Sequence, residues 1–336
     1  MSSPNVPPSK SPSVSPDRRS DSSDELITEP KPFGSGNIGV PIRMTEKPPR
    51  GRRRVLPGFG LSMGYTLTCV SLIILLPMAA LVWKTASLSW HDFWETVRDP
   101  LVVSSYKLSF GAAALAAIIN SIFGLIVAWV LVRYSFPGRR IFDALIDFPF
   151  ALPTAVAGLT FGNLYAPDGW LGRVGFGRFL VRPIGWFMNE IGIGGQDRSV
   201  GAVTIVLVFV GLPFIVRTVQ PVLQELDADL EHAAASLGAS AIYTFRRVVM
   251  PELFPAWLAG IGLSLARGIG EYGSVIFVAR NAPGESEIAP QRILAELYNF
   301  NTSRATAVAI VLLVASFLLL MGINGLQHLA RAKERA

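Results

Sequence analysis

The sequence predicts an all-α integral membrane protein with six transmembrane helices, and three observations carry that prediction. Apolar runs free of Asp, Glu, Lys and Arg recur along the chain, as at 55–83 and 108–132. Each is longer than the ~18–20 residues that cross ~30 Å of hydrocarbon as helix. Of the 336 residues 51% are hydrophobic and 16% charged, whereas roughly a quarter of a soluble domain is charged. Arginines crowd the short flanks of the runs, at Arg50, Arg52, Arg53 and Arg54 and again at Arg133, Arg139 and Arg140. Dense positive charge in short flanks marks the cytoplasmic side of a membrane.

Residues 1–54 are rich in proline and serine, hold Phe33 as their sole aromatic and have no apolar periodicity. They read as a disordered cytoplasmic tail, followed by a six-span domain over 55–336. Gly34-Ser35-Gly36-Asn37-Ile38-Gly39 matches G-x-G-x-x-G. No strand pattern precedes it and no helix pattern follows, so it is not a dinucleotide site. The first span, 55–83, is too long and too far along the chain for an ordinary cleaved signal peptide.

The second span is 108–132, followed by the turn signal Phe136-Pro137-Gly138. The third is 148–167, where Pro149 and Pro153 remove backbone donors and should bend the helix near its inner end. Gly158 and Gly162 form G-x-x-x-G, which fits either a close helix crossing or ordinary glycine tolerance in a membrane helix. An outer loop over 166–198 carries Trp170, Trp186 and Phe187, suited to the headgroup boundary, with room for a short interfacial helix. Spans four, five and six follow at 199–216, 253–279 and 305–329. Six crossings put both termini on one side, and the arginine-rich flanks make that side cytoplasmic.

Between spans four and five lies the longest inner polar stretch. Asp227 and Asp229 sit where a helix would start, alanines continue it, and Gly238 suits a left-handed stop. Ser240 can cap a second short helix to Met250, where Pro251 is expected to prevent continuation. The result is a helix-turn-helix knuckle with a small-residue face, able either to seat in another protein's groove or to remain a solvated loop. Within the fifth span Arg267 and Glu271 stand four residues apart, on one face of the expected helix. They serve either an anion pathway and its gate or, as a mutually neutralising pair, helix packing.

Several function classes are excluded. No G-x-x-x-x-G-K-[ST] occurs, so any ATP that drives this protein binds to another subunit. No Ser/His/Asp or Cys/His grouping is visible, and no enzymatic site is expected. Cys69 is the single cysteine, so no intrachain disulfide can form, and His91, His232 and His328 are too dispersed for a metal site to be expected. The net charge of +6 is accounted for by the membrane flanks rather than by nucleic acid.

The knuckle resembles the coupling loop of ATP-binding-cassette importer permeases, whose pattern is Glu-Ala-Ala, three residues, Gly, nine residues, Ile-x-Leu-Pro. Ala233, Ala234, Gly238 and Pro251 match it, Val248 and Met250 replace the aliphatics, and His232 takes the glutamate position with Glu231 just before it. Phe136-Pro137-Gly138-Arg139-Arg140, Asp147-Phe148-Pro149-Phe150-Ala151-Leu152-Pro153, Leu164-Tyr165-Ala166-Pro167-Asp168-Gly169-Trp170, Leu212-Pro213-Phe214-Ile215-Val216-Arg217 and Gly270-Glu271-Tyr272-Gly273-Ser274 are similar to the T-type sulfate/thiosulfate permease family.

That resemblance implies a type I importer core in spans two to six (about 101–330), one added N-terminal span, and a cytoplasmic coupling loop at about 221–251. It implies a second permease subunit of W type, two cytoplasmic ATPase subunits that bind the ATP, and an extracytoplasmic sulfate-binding protein, assembled in the inner membrane of a bacterium. Glu231, His232, Ala233, Ala234, Gly238 and Pro251 would couple to the ATPase, and Arg267 and Glu271 would belong to the pathway or its gate. A molybdate or tungstate permease is the nearest alternative, and a secondary anion carrier the next.

Overall fold

A computed structural model describes residues 59–166, 169–173, 176–193 and 199–334. The tail expected at 1–54, with its Gly34 to Gly39 segment, lies outside the described residues. The chain divides at Phe59 and Gly60, and the architecture below is that of the second unit, Gly60–Ala336.

All regular secondary structure among the described residues is helical, without a strand. In order they form α1 Phe59–Ala86, α2 Trp90–Arg98, α3 Pro100–Arg133, α4 Arg139–Ile146, α5 Phe148–Ala151, α6 Thr154–Tyr165, α7 Trp170–Arg173 and α8 Phe176–Glu190. There follow α9 Ser199–Glu225, α10 Ala228–Ser236, α11 Ala241–Thr244, a π-helical turn Phe245–Val249, α12 Met250–Ile269, α13 Val275–Val278, α14 Ala289–Tyr298 and α15 Thr302–Glu334. Five stretches are long and apolar enough to cross a membrane: Phe59–Ala86, Pro100–Arg133, Val200–Glu225, Ala241–Ile269 and Thr302–Gln327.

The third expected span is built differently. The two prolines do more than bend it: α5 stops at Leu152, whose extended backbone (φ −84°, ψ 126°) leads through Pro153 into the twelve-residue α6. At 1.5 Å per residue, α6 alone covers about 18 Å.

The core is a three-helix contact of α3, α9 and α12. Toward one end Leu108, Ala112, Ala113, Ala116 and Ala117 of α3 meet Val200, Val203 and Leu207 of α9 and Leu265 and Ile269 of α12. Toward the other, Ala128 and Leu131 meet Ile215, Val216, Val219 and Leu223, with Val249 and Leu253. Alanines at i, i+4 on α3 let the helices approach closely, which matters where lipid supplies no hydrophobic drive between helices. Asn120 Nδ2 donates to Ser264 Oγ across this contact (3.3 Å), and Trp257 Nε1 donates to the Ser121 carbonyl (2.9 Å). In contrast, α1 exposes its apolar surface almost throughout, as a helix bathed in lipid would.

Candidate functional site

The knuckle forms largely as its residues dictate. Asp227 caps α10 by accepting from the Asp229 amide (3.0 Å), and Ser240 caps α11 by accepting from the Tyr243 amide (3.4 Å). Between them Gly238 adopts φ +81°, a left-handed conformation that a side chain would strain, with open space where a Cβ would stand. The space shows that the glycine is there for its backbone alone.

Pro251 corrects the sequence reading. It does not end the second helix, which runs from Ala241 to Ile269. The π turn at Phe245–Val249 shifts the hydrogen bonding so that the Met250 amide donates to the Phe245 carbonyl. This wider turn accommodates a ring that would otherwise clash with the carbonyl four residues back. The knuckle is therefore joined to the following apolar helix without a break.

Glu231 and His232 part company in space. The Glu231 carboxylate accepts from Arg133 Nη2 at the last residue of α3, with both side chains largely covered. The same guanidinium lies over the Trp129 ring (5.5 Å to its centroid), and that ring packs edge-on to Phe245 (5.4 Å). His232 remains exposed, as do Ala233 and the hydrophobic side chains of Leu237 (89%) and Ile242 (74%). The knuckle thus has one face anchored to α3 and one face open.

Arg267 and Glu271 pair, with Nη2 to Oε2 at 2.9 Å, but not along one helix. The fifth span does not continue to Ala279: α12 ends at Ile269 with Gly270 as its cap, and Glu271 lies in the following turn. There its Oε1 accepts from the Ser274 amide (3.0 Å) and hydroxyl (2.8 Å). Glu271 is 1% exposed and Arg267 38%, so the carboxylate is committed to the turn while part of the guanidinium stays open. Pro251 and Arg267 lie at opposite ends of α12, about 24 Å apart along its axis, so the expected site residues form two groups rather than one.

The turn after α12 and α13 pack against α6, and this decides the reading of the glycine pair. A Cβ on Gly158 would stand 2.3 Å from the Ser274 carbonyl oxygen, and one on Gly162 would stand 2.7 Å from that of Phe277. G-x-x-x-G here marks a close backbone crossing.

A polar cluster not foreseen from sequence ties α9 to α4 and the start of α5. Arg217 donates to Asp147 through Nε (2.8 Å) and Nη2 (2.7 Å), to Asp143 Oδ1 through Nη1 (2.8 Å) and to the Asp143 carbonyl through Nη2 (2.8 Å). Gln220 accepts from Arg217 Nη1 (2.6 Å) and donates to Asp143 Oδ1 (3.3 Å). Burial pushes the Asp143 carboxyl up, but the hydrogen bonds from Arg217 and Gln220 and the nearby positive charge outweigh it and hold it below the usual range. Asp147 and Arg217 are 70 residues apart, and no local pattern pairs them.

At the other end of the bundle, Arg304 donates to Asp99 (2.9 Å) and Arg292 to Glu296 (2.6 Å). Nearby, burial raises Glu287 against the pull of Arg292. His91, Asp92 and Glu95 bring potential ligand atoms within 4.8 Å of one another on an exposed face of α2, but solvent-facing acidic groups of this kind are common without an ion.

Residues 120–330, which contain both groups, match the family model described as binding-protein-dependent transport system inner membrane component. This chain belongs to that family.

The permease is 46% identical over 275 residues to the sulfate transport system permease protein CysT of Salmonella typhimurium, covering 82% of this chain and 94% of that protein. The CysT of Escherichia coli gives the same values, and that of Synechocystis is 44% identical, covering 79% of this chain and 88% of that protein. Among solved structures, a chain of the bacterial alginate ABC transporter in complex with an alginate pentasaccharide-bound periplasmic protein superposes with TM-score 0.60. It covers 80% of this chain and 93% of that one at 15% identity, a likeness of fold alone. The permease therefore has the type I ABC importer fold and is a multi-pass membrane transport subunit.

Proposed function

We propose that this chain is the membrane-spanning subunit of an ATP-driven importer of sulfate, forming part of the pathway and carrying ATPase motion through the 221–251 loop. The observation that carries this reading is 46% identity to proteins named CysT over 94% of their length. Thiosulfate is included in the proposed cargo, since it presents a similar tetrahedral dianion. Two cytoplasmic ATPase subunits would bind and hydrolyse the ATP, this chain would hold no cofactor, and a binding protein would deliver the anion from outside. A second permease of W type would complete the pathway in the inner membrane of a bacterium, with both termini of this chain cytoplasmic and α5–α6 as the third of six crossings.

In this reading His232, Ala233, Ala234 and the Gly238 turn meet the ATPase, Glu231 braces them against α3 through Arg133, and Pro251 joins them to the span. Arg267, partly open, faces the passing anion, and Glu271 holds the turn beside it.

The test is sulfate uptake by cells that lack their own T-type subunit and express this chain with its assembly, with thiosulfate and molybdate as competitors. Uptake competed by thiosulfate and not by molybdate supports the proposal. Uptake of molybdate alone overturns the cargo, and uptake that persists without ATP overturns the class. Gly238→Pro is expected to insert normally yet to lose most substrate-stimulated ATPase activity, because proline cannot adopt φ +81°. Wild-type stimulation in that variant would remove the turn from the mechanism.

A further inference from the structure

Beside the continuous helix that leads from the knuckle into the membrane lies a groove of about 690 Å³, lined by Ser240, Ile242, Tyr243, Arg246, Arg247 and Pro251. We propose that this groove binds the phosphate headgroup of an anionic membrane lipid, with Arg246 and Arg247 as its cationic floor.

The charge is available. Arg133, Arg217, Arg267, Arg292 and Arg304 each pair with a carboxylate. Arg246 and Arg247 are exposed, and their side chains form no hydrogen bond or ion pair with any described residue. Two adjacent unpaired guanidinium groups repel each other and attract a phosphate, which can accept from both forks. The Tyr243 hydroxyl and the Ser240 hydroxyl, whose oxygen accepts from the Tyr243 amide, supply further donors.

The depth selects lipid over a cytoplasmic protein. Met250–Ile269 has 20 residues, which as helix cover about 30 Å, the thickness of the hydrocarbon core. With the hydrocarbon edge set at Met250, where α12 begins, Arg246 and Arg247 would stand about 4.5–6 Å beyond it, within the headgroup layer. The rest of the lining suits that boundary. Ile242 is 74% exposed, Tyr243 is 58% exposed and Pro251 adds an apolar wall, so an acyl chain has something to lie against while the phosphate stays polar. The small-residue face of the knuckle is on a different element, α10. Because helix and groove share the π turn, a bound headgroup would also hold the turn that carries coupling-loop motion into the span.

The experiment is native mass spectrometry of the full chain in mild detergent, with dioleoyl phosphatidylglycerol and dioleoyl phosphatidylcholine offered in equal amounts. The wild type is expected to retain the phosphatidylglycerol preferentially. Arg246→Gln with Arg247→Gln should lower that preference on the order of tenfold, given the attraction of each basic residue for an anionic surface. Arg139→Gln with Arg140→Gln removes equal charge elsewhere and should change it by no more than about twofold, and Arg246→Lys with Arg247→Lys should largely keep it. An unchanged preference in the Gln pair overturns the proposal. So does an equal loss in the Arg139 and Arg140 pair, which would mean diffuse surface charge, or an equal loss in the Lys pair, which would mean a packing defect. A Gln pair that keeps its lipid but no longer co-purifies with the ATPase would assign the groove to that protein and overturn it as well.

Discussion

Glu231 leaves the open side of α10 to meet Arg133, while its neighbour His232 keeps the exposed position that the family pattern gives to glutamate. Adjacent helical residues point about 100° apart, so one can brace the loop while the other meets a partner. The Arg217 cluster acts at the same scale. Because the folded-state pKa of Asp143 lies below its unfolded value, the unfolded chain binds more protons between the two. Stability from this carboxylate is therefore fully present above the unfolded value near pH ~3.9 and is lost as pH falls through the folded one. The stability difference between wild type and Asp143→Asn, followed by thermal unfolding, is expected to be flat near neutrality and to shrink only in acid. A difference that persisted unchanged into strong acid would remove the Asp143 charge from the account.

At the scale of elements, two helical stretches are interrupted. Leu152 and Pro153 separate α5 from α6, and Gly270 ends α12 before the turn that Glu271 holds through Ser274. Broken backbone is tolerated at membrane depth only where protein or a wet cavity satisfies it, and here the turn after α12 and α13 seat against α6. The contact is close enough that Gly158→Leu should destabilise the protein by about 1–3 kcal/mol, since even a Cβ meets the Ser274 carbonyl oxygen at 2.3 Å. Gly322→Leu, where nothing lies within 4 Å, should be tolerated. Thermal unfolding of both variants in detergent tests the crossing, and equal melting temperatures would discount it.

For the whole molecule, the proposed topology depends on α5–α6 crossing the membrane. In a Cys69→Ser background, Ser87→Cys and Ser236→Cys, both at exposed positions, report the ends of α1 and α10. With six crossings an impermeant maleimide added to intact cells labels the first and not the second. Labelling of both would mean that α5–α6 does not cross, and labelling of the second alone would reverse the orientation.

The class of the molecule was legible from local sequence, because a helix in lipid must be apolar over a fixed length and arginine must sit outside it. The Gly238 turn and the nearness of Arg267 to Glu271 were legible for the same reason: each depends on residues within one or two turns of chain. Tertiary structure alone decided that Arg217 meets Asp143 and Asp147, that Glu231 turns to Arg133, and that Gly158 serves a close crossing rather than mere tolerance. It also decided that Pro251 is absorbed by a π turn and that α12 stops before Glu271. Each of these depends on partners brought together from distant parts of the chain or on a shift in helical register. Hydrophobic periodicity states which face is buried, but not which side chain waits on the other side.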